Sequence, residues 1–128
     1  MQGLHLTADL HGCAPSQPAM TEPAALRALC LAAVEAAGLL PVGELFHRFT
    51  PPAGATLPTG VTGVVLLAES HLAVHTWPEL GAVTLDVYVC NFGADNTARA
   101  HALLERLLHD FAPMQVQRHV LQRGEAPR

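Results

Sequence analysis

The chain has 128 residues, of which 50% are hydrophobic and 14% are charged. This length suits about one domain, so 1–128 is predicted to be a single domain, and its apolar composition argues against extended disorder. The formal net charge of −4 provides no basic surface, so nucleic acid is not expected as a partner. No apolar run, 64–68 included, is long enough for a bilayer. Neither a membrane partner nor a signal peptide is predicted.

The cysteines and basic residues exclude two kinds of site. Cys13, Cys30 and Cys90 form an odd set without CxxC spacing. Such a set predicts reduced thiols and a cytoplasmic protein, with neither a disulfide framework nor a zinc site. All 7 basic residues are arginines. Because enzymes anchor pyridoxal phosphate through a lysine amine, that cofactor is excluded.

Hydrophobic periodicity and turn residues predict the elements in chain order. The first half contains a strand, a loop, a helix with Thr21 as N-cap, a second strand and a proline-rich loop. Their predicted bounds are 4–10, 11–20, 22–37, 39–49 and 50–59. The second half contains three strands, a helix that Asp95 caps, and a final strand. Their predicted bounds are 61–69, 71–77, 82–90, 95–111 and 114–121. The polar tail 122–128 is predicted to be frayed.

This order of elements predicts an α+β fold, a two-layer α/β sandwich with an antiparallel sheet and two helices on one face. Strands joined by tight turns pair in antiparallel fashion, which leaves the other face of the sheet uncovered. A chain with so few charges cannot easily expose such a face to water. We therefore expect two copies of the chain to form a homodimer through their sheets.

Most side chains that could take part in catalysis or ligand binding lie in one segment, between 60 and 90. This segment includes AESHLAVHTWPE and DVYVC. His71 and His75 have the spacing of two metal ligands on a helix. However, their β-branched neighbours predict a strand, where four residues span about 13 Å. Metal binding is therefore disfavoured.

Ser70 could act as a hydrolase nucleophile, but its neighbours Glu69 and His71 do not form the GxSxG turn of such enzymes. The two histidines of this segment could equally be ordinary residues of a half-exposed strand. From the residues alone, both interpretations stay open.

The absence of lysine suggests a third interpretation, in which the chain makes its own carbonyl cofactor. A serine can attack its preceding carbonyl and form an ester, and β-elimination then leaves dehydroalanine, which hydrolyses to a pyruvoyl group. A pyruvoyl carbonyl can form an imine with a substrate amine and accept electrons during decarboxylation. The cleavage needs a serine at a strained turn and a proton carrier. Ser70 lies between two predicted strands, and His75 and Thr62 are candidate helpers.

The segment GVTGVVLLAESHLAVHTWPE followed by DVYVC closely resembles the prokaryotic S-adenosylmethionine decarboxylase proenzymes. FHRF at 46–49 resembles an upstream element of that family, and weaker similarity covers nearly the whole chain. The resemblance implies self-cleavage between Glu69 and Ser70 into 1–69 and 70–128, with Ser70 as the precursor of the pyruvoyl group. It implies decarboxylation of S-adenosylmethionine for spermidine synthesis, in an α/β sandwich that dimerises through its sheets. Because of the strand spacing described above, no metal is expected.

The resemblance also implies roles for single residues. His75 would carry protons during cleavage, and Thr62 would assist it with its hydroxyl. Cys90 would donate a proton to the substrate carbon after carbon dioxide leaves. Glu79 would bind the ribose hydroxyls, and Phe49 would stack on adenine.

Three features differ from the family pattern: Asn91 after the cysteine, Leu45 before FHRF, and the long loop 50–59. All three are expected near the substrate pocket. They leave two alternatives open, namely ornithine or arginine as the substrate, and a non-catalytic member that binds a ligand. Glu79 and Phe49 favour a nucleoside substrate, since a basic amino acid needs neither. The presence of Ser70, His75 and Cys90 favours an enzyme, since a binding protein gains nothing from all three.

Overall fold

The computed structural model describes residues 1–125. Its strands and helices are β1 (Gly3–His11), α1 (Pro23–Ala36), β2 (Pro41–Arg48), β3 (Val61–Leu67), β4 (Ser70–Trp77), β5 (Ala82–Cys90), α2 (Thr97–Phe111) and β6 (Gln115–Arg123). Short 3₁₀ helices span Pro18–Met20 and Pro78–Leu80. The six strands form one antiparallel sheet in the order β2-β3-β4-β5-β1-β6. The predicted α+β sandwich is confirmed.

Both helices cover the same face of the sheet. Every second residue of β1, β3, β4 and β5 is buried there, as the alternation of side chains along a strand requires. From α2, Leu103, Leu107 and Phe111 reach this core at helical spacing and are fully buried. Burying each such side chain contributes about 1.5–3 kcal/mol. The core therefore lies between the sheet and the two helices. Within residues 1–125, no helix is long and apolar enough to cross a membrane.

The structure corrects several predicted boundaries. Thr21 does not cap α1, because Glu22 occupies the N-cap position and its side chain makes no capping bond. Asp95 lies before the N-cap Asn96 of α2, where its carboxylate accepts the Thr97 N–H.

The predicted frayed tail is also partly wrong. β6 continues to Arg123, because Gln122 and Arg123 pair with Leu4 and Gly3 of β1. The remaining tail residues 126–128 lie outside the described residues.

The second face of the sheet, called here the open face, lies opposite the helices. It carries the other alternate residues of each strand, including His5 of β1, His75 of β4 and Tyr88 of β5. It also carries Leu45 and Leu66, which are 70% and 50% exposed. The strands that carry the predicted site residues, β3, β4 and β5, thus present both polar and apolar side chains on the open face.

Candidate active site

The turn between β3 and β4 contains the peptide bond that the sequence predicts to be cleaved. Leu67 pairs with Ser70, so Ala68 and Glu69 form a two-residue turn. Glu69 has a φ of 55°, which only one other non-glycine residue within 1–125 approaches. This left-handed backbone costs an L-residue roughly 1–2 kcal/mol. The bond before Ser70 therefore follows a strained residue, as the proposed chemistry requires.

Ser70 and Cys90 lie next to each other at the ends of neighbouring strands. The Ser70 hydroxyl oxygen accepts the main-chain N–H of Cys90 at 3.1 Å. A pocket of about 490 Å³, called here the Ser70 pocket, opens beside them. It is lined by Val42, Leu66, Leu67, Glu69, Ser70, His71, Tyr88 and Arg123.

Thr62 and His75, the two predicted helpers of cleavage, lie next to each other. They are directly paired residues of β3 and β4, and the Thr62 hydroxyl lies 3.1 Å from Nδ1 of His75. This pair lies five residues along β4 from Ser70, a separation of about 16 Å. Within one chain, the structure does not bring His75, the predicted proton carrier, to Ser70.

Phe49 and Glu79 meet in a second pocket beyond His75. This pocket of about 340 Å³, called here the Glu79 pocket, is lined by Phe49, Thr50, Pro52, Ala55, Leu57, Pro58, Thr59, Gly60, Trp77 and Glu79. The rings of Phe49 and Trp77 are 6.0 Å apart, and the rings of Trp77 and His75 are 5.8 Å apart. The pocket therefore adjoins the Thr62–His75 pair.

The long loop 50–60 forms most of the wall of the Glu79 pocket. Its base is closed by two bonds, from the Thr59 hydroxyl to the Phe49 carbonyl at 2.7 Å and from the Phe49 N–H to the Gly60 carbonyl at 2.8 Å. Gly60 also needs to be glycine here, because a Cβ would lie 1.8 Å from the Thr76 carbonyl oxygen. The two ends of this long loop are thus held together next to the rings of Phe49 and Trp77.

A network on the open face was not identified from the sequence. Nε2 of His5 lies 3.0 Å from Oδ1 of Asp86, and a guanidinium nitrogen of Arg123 lies 3.3 Å from Nδ1 of His5. A guanidinium can only donate, so Nδ1 accepts and Nε2–H donates to Asp86. The sequence contains one indication of this network, namely the polar residues at alternate positions of β1. The residues of the network are far apart in sequence, so their contact could not be inferred from it.

Tyr88 connects this network to the Ser70 pocket. Its ring stacks on His71 at 5.6 Å, and the Arg123 guanidinium lies 6.0 Å from its centroid. Burial, and secondly the nearby His5, lower the pKa of His71, while Asp86 opposes this shift. Because that shift favours the neutral imidazole, the charged side chains lining the pocket are Glu69 and Arg123. Within residues 1–125, no group of three or more His, Cys, Asp or Glu side chains is arranged to hold a metal.

Comparison with known proteins identifies the family of the chain. The sequence profile of the S-adenosylmethionine decarboxylase family matches residues 4–124. The chain belongs to that family. It is 38% identical to the S-adenosylmethionine decarboxylase proenzyme of Persephonella marina, over 98% of this chain and 84% of that protein. It is 35% identical to the proenzyme of the same name from Archaeoglobus fulgidus, over 95% of this chain and 97% of that protein.

A solved structure gives the same result for the fold. The crystal structure of the adenosylmethionine decarboxylase from Aquifex aeolicus superposes with a TM-score of 0.81 at 33% identity. The match covers 98% of this chain and 92% of that one. The family expected from the residues 60–79 and 86–90 is therefore confirmed. The predicted site residues of this S-adenosylmethionine decarboxylase family member fall into two groups, one around Ser70 and Cys90 and one around His75 and Glu79.

Proposed function

We propose that the chain is a self-cleaving, pyruvoyl-dependent decarboxylase of S-adenosylmethionine whose product enters polyamine synthesis. Family membership supports the activity, and the relatives' name, proenzyme, supports maturation by cleavage. The observation that carries the proposal is the left-handed backbone of Glu69, immediately before Ser70. A strained residue on an otherwise regular hairpin is typical of a functional position.

Cleavage would proceed from the Ser70 hydroxyl. Its oxygen attacks the Glu69 carbonyl carbon, and the peptide C–N bond breaks as an ester forms. Loss of the Cα proton of residue 70 then breaks the ester bond, and Glu69 leaves as a carboxylate. Addition of water releases ammonia and leaves a pyruvoyl group on the fragment 70–128. This group supplies the carbonyl that accepts electrons when the substrate loses carbon dioxide.

A second copy of the chain would resolve the separation between Ser70 and His75. In a two-fold symmetric dimer, a contact between a residue of one copy and a residue of the other copy occurs twice. If two open faces pack with their β4 strands antiparallel, the Ser70 end of one copy faces the His75 end of the other. Two equivalent sites result. Exposed apolar residues of the open face, such as Leu45 and Leu66, favour this packing.

Each such site would divide the work between the two copies. Cys90, next to Ser70 on one copy, donates a proton to the substrate carbon. His75, held by Thr62 on the other copy, carries protons during cleavage. Glu79 lines the pocket whose Trp77 contacts His75, and it accepts the ribose hydroxyls of the substrate, for which a carboxylate has ample acceptor capacity.

The Glu79 pocket favours a nucleoside over a basic amino acid as the substrate. Its volume of about 340 Å³ and largely apolar wall suit a purine between aromatic side chains. Ornithine and arginine offer a cation for Glu79 but no ring for Phe49 and Trp77. The pocket is therefore matched to adenosine in both its aromatic and its carboxylate groups.

The test is the fragment pattern of the pure protein together with its substrate range. We expect two fragments, 1–69 and 70–128, and one intact chain for Ser70→Ala, which has no attacking oxygen. Carbon dioxide release should occur with S-adenosylmethionine and not with ornithine or arginine. A single uncut chain in active wild-type protein would contradict the proposal. Release of carbon dioxide from ornithine alone would show that ornithine, and not S-adenosylmethionine, is the substrate.

A further inference from the structure

Among residues 1–125, Arg123 is the one arginine that lines the Ser70 pocket. Since the chain has no lysine, it is also the pocket's one permanently positive side chain. Four other arginines each lie within 4.0 Å of a carboxylate, and they are Arg27, Arg48, Arg106 and Arg118. Within residues 1–125, Arg123 has no such carboxylate partner.

The Arg123 guanidinium contacts His5 and Tyr88. It donates to Nδ1 of His5 at 3.3 Å and lies over the Tyr88 ring at 6.0 Å. Tyr88 in turn fills the space above Gly3, where a Cβ would lie 2.6 Å from the tyrosine hydroxyl oxygen. A guanidinium has five N–H donors, and His5 uses one of them. The remaining donors are available to an anion in the pocket.

The proposed chemistry brings carboxylates to this pocket. Cleavage converts the neutral Glu69 carbonyl into an α-carboxylate, which adds a second negative charge to a residue that lines the pocket. Cleavage also frees Glu69 from its left-handed backbone, so the new chain end can move. A substrate whose α-amine reaches position 70 brings its own α-carboxylate, one carbon away from that amine.

We propose that Arg123 is the carboxylate-binding residue of the Ser70 pocket. This inference rests on the proposed function, because both carboxylates arise from it. The two sources are the α-carboxylate that cleavage creates on Glu69 and the α-carboxylate of the substrate. Arginine suits either one, since its planar fork binds a carboxylate through two parallel hydrogen bonds.

The variants are Arg123→Gln, which removes the charge, and Arg123→Lys, which keeps it. Arg118→Gln is the matched control, because Arg118 lies on the same exposed strand but contacts Glu105 of α2 on the helix face. Arg123→Met retains an apolar stem and serves as a second neutral variant if Gln disturbs β6. Circular dichroism establishes that each variant is folded.

The first arm tests the Glu69 source in the mature protein. Carboxypeptidase trims a free chain end, and mass spectrometry of the fragment 1–69 reports loss of Glu69. A lost charge-assisted bond should speed this trimming about tenfold in Arg123→Gln, with Arg123→Lys intermediate and Arg118→Gln unchanged.

The second arm tests the substrate source. If Arg123 binds the substrate carboxylate, KM for S-adenosylmethionine should rise about tenfold in Arg123→Gln. Inhibition by the decarboxylated product, which has no carboxylate, should stay unchanged. An effect in either arm supports the proposal and identifies the source. Wild-type trimming rates and wild-type KM in both neutral variants would overturn it. Failure of the proposed function is distinguishable, because the wild-type protein would then show no cleavage or no turnover of S-adenosylmethionine.

Discussion

Ser70 and His75 lie on the same strand, β4, but five residues apart, or about 16 Å along the strand. Each has a partner from a neighbouring strand, the main-chain N–H of Cys90 for Ser70 and the hydroxyl of Thr62 for His75. We therefore propose that a reaction that needs both the serine and the histidine uses two chains. This separation leads to a prediction that a one-chain site would not make.

Two inactive variants should restore cleavage when they are produced together. Neither Ser70→Ala nor His75→Ala should cleave alone, because one lacks the attacking oxygen and the other lacks the proton carrier. In a mixed dimer, the Ser70 of the His75→Ala chain meets the His75 of its partner. With equal expression and random pairing, about half of the His75→Ala chains should be cut, as a tag on that chain would reveal on a gel.

The control for this experiment replaces the Ser70→Ala chain with the double variant Ser70→Ala/His75→Ala. No cleavage is expected then, because neither chain supplies a histidine at position 75. Absence of cutting in the first mixture, despite formation of mixed dimers, would contradict a site built from two chains.

Cys90→Ala should separate catalysis from maturation. The main-chain N–H that holds the Ser70 hydroxyl remains in this variant, so cleavage should be normal. Decarboxylation should slow by about 10²–10⁴, the usual contribution of a positioned acid. Misdirected protons should convert residue 70 to alanine, which mass spectrometry of the fragment 70–128 detects.

The matched control for Cys90 is Cys13→Ala, since Cys13 is a buried cysteine outside both pockets. It should change neither turnover nor the identity of residue 70. Normal turnover in Cys90→Ala, without added alanine, would make Cys90 a packing residue, and His75 would be the next candidate acid.

The secondary structure was predictable because burial follows the local pattern of the chain. In β5, alternation of Val83, Leu85 and Val87 predicted which face meets the helices, and all three are buried. The end of β6 was not predictable, because Arg123 continues the strand only by pairing with Gly3 from the opposite end of the chain. Such a pairing has no local signal.

The same distinction applies to the site. Thr62 and His75 could be linked from the sequence, since a recognisable motif contains both and adjacent strands bring them together. The contact of His5 with Asp86 joins residues 81 positions apart, and that of His5 with Arg123 joins residues 118 apart. No single motif contains two of these residues, so the network required the structure.

Trp77 should report ligand binding in the Glu79 pocket directly. It is the single tryptophan of the chain, and it lines that pocket beside Phe49. Adenosine should therefore change the intrinsic fluorescence, whereas ornithine should not. Glu79→Gln should weaken adenosine binding about tenfold, because it replaces hydrogen bonds to a charged group by neutral ones.

Glu35→Gln is the control for the adenosine titration, because Glu35 is an exposed carboxylate on α1. Its affinity should equal that of the wild type. A fluorescence change with ornithine comparable to that with adenosine would contradict the assignment of the pocket to a nucleoside.

His71 should make the folded protein less stable in acid. Its pKa is lowered, chiefly by burial, so the folded state binds a proton at this site less readily than the unfolded state does. The stability that neutral His71 provides is therefore present above the unfolded pKa of about 6.5 and is lost as the pH falls below it. We expect the Tm of Ser70→Ala, an uncut chain at fixed concentration, to fall between pH 7.5 and 5.5.

Two variants in that background test the role of His71. His71→Asn should show a smaller fall in Tm. His101→Gln, at an exposed position of α2, should show the same fall as the parent. Equal falls in the parent and in His71→Asn would show that another group controls the acid sensitivity.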